Sequence, residues 1–208
     1  MSFRTEHKSQ REKISAKLID GALSLAAAQG YGSLSLRSVA REAGIAPTSF
    51  YRHFRDMDEM GLAMAHMAED ELLTGMKESV ARLAQRPVKT DLVGLESFLR
   101  AFGESFFRIL DQNENLFLFF FREWAGASPV IREAVGLGID RVCRLLAPAL
   151  EKAGAGGPDP RTTAHSLMTL FIRAALAALL SEEDKRVQTL SRVCGQGALL
   201  LLGAVRAA

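Results

Sequence analysis

The succession of apolar and polar positions along the chain predicts helices throughout and no strands. From Gln10 to Ala28, Ile14, Leu18, Ala22, Leu25 and Ala26 recur at helical spacing, with Arg11, Lys13 and Lys17 near the start. Gly30-Tyr31-Gly32 then breaks the pattern, with Tyr31 as a core plug. Ser35 suits the N-cap of a short helix through Arg41 with an apolar stripe of Leu36, Val39 and Ala40, and Gly44 stands where a left-handed C-cap ends it. Ile45 packs into the turn, and Pro47, lacking an N–H, suits the first position of a second helix carrying Phe50, Tyr51 and Phe54. Two short helices joined by a tight turn predict a helix-turn-helix, and the preceding helix closes a three-helix head.

The rest of the chain reads as longer helices. Asp56 and Glu59 form a D-x-x-E capping pattern opening a helix through Met60, Met64, Met67, Leu72, Met76 and Val80 to about Gln85. At about 1.5 Å per residue that is a rod of roughly 43 Å, ended by Arg86-Pro87. The next helix, capped by Thr90 or Asp91, has a broad face of Leu95, Phe98, Leu99, Phe102, Phe106, Ile109 and Leu110. Leu116 to Trp124, LFLFFFREW, has no wet side until Arg122 and Glu123. Such a helix is buried all round or lines a cavity. Both readings stand: a packed aromatic core, or an apolar tunnel gated by the Arg-Glu pair. Ser128-Pro129 opens another helix through Leu150, Ala153 to Pro160 is a flexible loop, and two final helices run over about 160–180 and 182–206. Gly195, Gly197, Ala198 and Gly203 permit close helix approach, so these two helices are expected to pair with those of a second subunit. The expected architecture is all-α. Residues 1–55 form the helix-turn-helix domain and residues 56–208 a larger ligand-binding and dimerisation domain.

Charge sharpens this division. Net charge over 208 residues is only +2, yet residues 1–55 hold nine Lys/Arg against four Asp/Glu and the remainder 17 against 20. The excess at one end fits a polyanion partner there. Thr48, Ser49, Tyr51, Arg52 and His53 point outward from the second short helix, with Arg37 and Arg41 on the first and Arg55 just beyond. Hydroxyls and cations of this kind serve base edges and phosphate oxygens in a major groove.

These residues carry a family resemblance. SLRSVAREAGIAPTSFYRHF, over roughly the first 60 residues, resembles the signature of the TetR family of bacterial repressors, whose helix-turn-helix ends in Tyr-x-His-Phe and runs into a long helix. REAGIAPTSFYRHFRDMDE, with the later Phe-x-x-x-x-Arg-Glu, is similar to the FabR and DesT branch, repressors of unsaturated fatty acid synthesis and desaturation. The wider family often has a phosphate-contacting lysine three residues after His-Phe. Met57 stands there, so Arg55 and the amides opening the next helix would have to substitute. The resemblance implies a homodimer on palindromic double-stranded operator DNA, in which an effector in the body tilts the long helix and changes the spacing of the recognition helices. The branch implies a long-chain acyl-CoA effector, for which Phe98, Phe102, Phe106, Phe117, Phe120, Phe121, Arg122, Glu123 and Trp124 are the candidate contacts. A drug or dye as effector, or a lipid-handling enzyme or carrier with an accessory DNA head, are the alternatives.

Catalysis finds no footing. His7, His53, His66 and His165 sit in unrelated contexts without a G-x-S-x-G or metal motif, so no cofactor or metal is expected. Cys143 and Cys194, far apart, read as reduced core thiols. The late apolar stretches are too short for a span of about 20 residues, and no apolar run follows the charged N-terminus. A cytoplasmic protein without membrane contact is expected.

Overall fold

The computed structural model describes residues 3–85, 88–181 and 186–207, with side chains from residue 10 onward. Nine α-helices are present among the described residues: α1 (Phe3–Gln29), α2 (Leu36–Glu42), α3 (Pro47–Phe50), α4 (Met57–Leu83), α5 (Leu92–Leu110), α6 (Glu114–Glu123), α7 (Pro129–Lys152), α8 (Pro160–Leu179) and α9 (Arg186–Ala207). A 3-10 turn at Tyr31–Ser33 separates α1 from α2. The all-α architecture, with an N-terminal helix-turn-helix and a helical C-terminal body, is as the periodicity predicts.

One expectation is overturned at the N-terminus. Residues up to about Gln10, whose charged run reads as a flexible basic arm with Arg4 and Lys8 either reaching a minor groove or solvated, are instead helical backbone from Phe3, because no Gly or Pro interrupts the run before Gly21. The side chains of Arg4 and Lys8, considered for minor-groove contact, lie outside the described residues. So do the break at Arg86-Pro87 and the expected start of the last helix at residue 182.

The chain divides into two compact units, and the division does not follow residue 55. One unit comprises Met1–Ala68 and Asn115–Val135, the other Glu69–Glu114 and Gly136–Ala208. The first holds α1 to α3, the opening half of α4, α6 and the start of α7. Within it Leu18, Ala22, Val39, Ala40, Phe50 and Met60 are fully buried. Gly61 lets α4 and α7 approach closely: a Cβ there would stand 2.2 Å from Ile131 Cδ1.

In the second unit α9 packs on α5 and α8. Gly103 and Gly197 mark the close approaches. A Cβ on Gly103 would meet Leu190 Cδ1 at 2.5 Å, and one on Gly197 would meet Leu99 Cδ1 at 2.7 Å and Leu167 Cδ2 at 3.2 Å. Gly197 and Ala198 therefore serve packing inside one subunit rather than a subunit interface, which corrects their expected role. Gly195 and Gly203 have open space where a Cβ would stand. α8 is long and apolar enough to cross a membrane by length and composition. Its Leu167, Met168, Phe171, Ile172 and Ala175 are nevertheless buried within the protein, and Phe171 stacks edge-on against Phe102 of α5 at 5.0 Å. Both cysteines are free and buried, and burial pushes their thiols up, Cys143 to about 12 and Cys194 to about 11.

Candidate nucleic-acid interface

The two short helices are fixed by local chemistry before any long-range contact is made. Ser35 Oγ accepts from the Ser38 amide at 3.1 Å while Ser38 Oγ accepts from the Ser35 amide at 2.9 Å, a capping box built from two serines. At the other end of α2 the Gly44 amide donates to Arg41 O at 3.1 Å and the Ile45 amide to Ala40 O at 2.8 Å. This is a Schellman closure, and Gly44 at φ 66° supplies the left-handed residue it requires. Pro47 stands at the first turn of α3 as its missing donor allows. The second helix is shorter than the pattern suggested: Arg52 and His53 donate to carbonyls three residues back, so the α-helix gives way to tighter turns after Phe50.

Those turns sort the side chains. Phe50 is fully buried and Phe54 nearly so, their rings 5.7 Å apart. Thr48, Tyr51, Arg52 and Arg55 are exposed and Ser49 and His53 half-exposed, as are, on α2, the exposed Arg37 and Arg41. Tyr51 is 67% exposed although its ring packs edge-to-face with Phe50, the centroids 6.1 Å apart. Arg37 and Arg41, with Ser35, Ser38, Gly44, Ile45 and Pro47, line a recess of about 650 Å³ beside α3. Two guanidinium groups and two hydroxyls around such a recess suit phosphate oxygens.

The substitutes expected for the missing lysine are partly engaged. Arg55 Nε pairs with Asp56 at 2.8 Å, the Arg55 amide donates to Glu59 Oε2 at 2.5 Å, and the Glu59 amide donates to Asp56 Oδ1 at 2.8 Å. The amide and guanidinium bonds hold the Asp56 carboxyl below its ordinary pKa. Two amides here are thus committed to capping α4, and Arg55 shares its charge with a neighbour.

Contacts of long sequence separation lie in the same unit. Ser15 Oγ on α1 lies 2.9 Å from His53 Nδ1. The Tyr31 hydroxyl donates to Met57 O at 2.5 Å, and its ring meets Phe119 of α6 edge-on at 5.0 Å. Burial, then the nearby carboxylates, pushes the Tyr31 phenol far above its ordinary pKa. Arg122 Nη1 donates to Ala26 O at 3.2 Å and Ala27 O at 3.1 Å, carbonyls at the C-terminal end of α1. A cation there complements the helix dipole. Burial raises the pKa of neighbouring Glu123, partly opposed by the charge of Arg122.

The candidate effector residues fall in both units. Phe98, Phe102 and Phe106 are buried on α5, where Phe102 and Phe106 stack at 6.1 Å and both meet Phe171. Phe117, Phe120 and Phe121 are buried on α6, with Phe121 at 6.1 Å from Phe117 and 5.8 Å from Phe120. Glu123 is buried, Arg122 and Trp124 half-buried. No group of three or more His, Cys, Asp or Glu side chains suited to a metal occurs among the described residues.

Residues 18–64 match the sequence profile of bacterial regulatory proteins of the tetR family. Over nearly the whole chain the fold is similar to that of solved bacterial regulators. A TetR-family regulator from Syntrophomonas wolfei is 17% identical with a TM-score of 0.70, over 92% of this chain and 96% of that one. The fatty acid degradation regulator FadR of Bacillus halodurans is 16% identical with a TM-score of 0.65, over 93% and 96%. A transcriptional regulator from Rhodococcus is 23% identical with a TM-score of 0.64, over 91% and 96%. The profile match lies in the helix-turn-helix head and the opening of α4, and the solved structures share the fold.

Proposed function

We propose that this protein is a TetR-family regulator, a ligand-responsive repressor that reads palindromic double-stranded operator DNA as a homodimer. The observation that carries the reading is the sorting of one short segment: Phe50 and Phe54 go inward while Thr48, Tyr51 and Arg52 remain exposed beside Arg37 and Arg41. A single helix-turn-helix binds weakly, whereas two held at half-site spacing double the specific contacts. α8 and α9 are the proposed pairing helices. In their favour are the open faces of Gly195 and Gly203 and the 62% exposure of Leu199 between them.

The proposed effector is a long-chain acyl-CoA, and the proposed targets are unsaturated fatty acid synthesis or desaturation. Six consecutive buried apolar residues of α6 offer surface of the right chemistry, at about 0.8 kcal/mol per buried methylene. One solved structure of this fold is a regulator of fatty acid degradation, which is in keeping with this reading. Straight and kinked chains of equal length gain nearly equal burial, so discrimination rests on shape. Coupling of about 1–3 kcal/mol would change operator affinity roughly 5- to 150-fold. A cytoplasmic location without catalysis belongs to this reading.

The test is selection of genomic fragments by the purified protein, then titration of the selected DNA complex with palmitoyl-CoA, oleoyl-CoA and a hydrophobic dye. An inverted-repeat site with opposite or unequal responses to the two acyl-CoAs is expected. A response to the dye alone would replace the acyl-CoA with another apolar effector.

A further inference from the structure

Ser15 and His53 are 38 residues apart, and their contact ties the end of the recognition segment to α1. A serine inside a helix commonly returns its hydroxyl to a carbonyl one turn back, but here Oγ meets His53 Nδ1 at 2.9 Å. The charged groups acting on the ring are Arg11 from α1 and Arg52 from its own turn. Partial burial, then these two cations, keeps the imidazole pKa below its ordinary value. The ring is therefore neutral near pH 7.5 and has a single N–H to place. If the serine hydroxyl donates to Nδ1, that N–H must be on Nε2, across the ring from α1.

We propose that Ser15 is a positioning residue for DNA binding: it holds His53 as the neutral Nε2–H form, so that the ring donates a hydrogen bond to a DNA phosphate oxygen. The inference rests on the DNA-binding reading of the helix-turn-helix. Phosphate is the favoured acceptor because a donor-only pair, one imidazole N–H beside the exposed guanidinium of Arg52, matches an anionic oxygen, and most protein–DNA hydrogen bonds go to the sugar-phosphate backbone. Ser15 itself does not touch DNA in this arrangement; it acts through the tautomer.

Two measurements test it. Long-range ¹H–¹⁵N correlation spectra of the free protein should show His53 protonated on Nε2, and Ser15→Ala should lose that preference while Ser15→Thr keeps it. Binding to a short mixed-sequence duplex at fixed salt should weaken about fivefold in Ser15→Ala near pH 8, the scale of one ordinary hydrogen bond. The deficit should shrink below about twofold near pH 5, where protonation restores the Nε2 donor whatever holds Nδ1. In a His53→Ala background, Ser15→Ala should have no further effect. An Nδ1–H tautomer in the wild type overturns the proposal, as does a Ser15→Ala deficit that is equal at both pH values and persists without His53. Failure of the wild-type protein to bind any duplex overturns instead the DNA-binding reading beneath it.

Discussion

α6 and α9 are both rich in apolar residues, yet the protein uses them in opposite ways. All six residues from Leu116 to Phe121 on α6 are buried. α9 buries Val193, Cys194, Gly197, Ala198 and Leu201 but leaves Val187 77% and Leu199 62% exposed. Apolar composition thus separates neither core from surface nor one surface from another. In α6 every side meets protein, whereas in α9 the inward glycine is filled by leucines of the same subunit and the outward glycines face open space. The contrast teaches that a small residue has a role only through what stands opposite it.

The sharpest way to break this contrast is on the inward side of α9. Gly197→Glu would drive a Cβ into Leu99 and Leu167 and bury an unpaired charge, costing several kcal/mol. Chemical denaturation should find the variant unfolded or nearly so. Phe120→Ala on α6, at a fully buried position, should cost about 3–5 kcal/mol in the same assay. If α6 instead lines the effector tunnel, this variant should also blur the difference between palmitoyl-CoA and oleoyl-CoA in operator titrations. Equal discrimination in both proteins would remove α6 from sensing.

Smaller effects sharpen the comparison. Arg122→Ala removes two charge-assisted bonds to the end of α1 and should cost about 2 kcal/mol, read as a lower denaturation midpoint. Cys194, on the inward side of α9, should resist alkylation at pH 8 until the protein unfolds. Its folded pKa of about 11 exceeds the ordinary 9.0, so above pH 9 the unfolded chain releases a proton that the folded chain retains. Stability should therefore fall between about pH 9 and 11, the raised Cys143 thiol adding to the slope. The smallest effect belongs to Leu199→Glu: folding stability should change by no more than about 0.5 kcal/mol. Sedimentation should nevertheless shift toward monomer. A stable dimer in that variant would move the proposed interface away from this side of α9.

How much was legible follows the range of the interactions. The caps at Ser35 and Gly44, the N1 proline and the sorting of Phe50 and Phe54 from Tyr51 and Arg52 depend on neighbours within about one turn, and all could be read from residue spacing. The absence of a wet side on α6 was equally plain. That α6 belongs to the compact unit of α1–α3 was not, since it follows from Arg122 reaching carbonyls 95 and 96 residues away and from Tyr31 meeting Phe119. The pairing of Ser15 with His53 left no trace in spacing either.

By itself the sequence determined the helices, their caps, the helix-turn-helix and its outward hydroxyls and cations. These are set by backbone hydrogen bonding, side-chain branching and the special geometry of glycine and proline, which act locally. Only the tertiary structure decided which apolar helix is surrounded, which glycine of α9 is filled, and that Ser15 meets His53. Those outcomes depend on which atoms arrive from distant parts of the chain, and a one-dimensional pattern of apolar and polar residues does not encode the direction of approach.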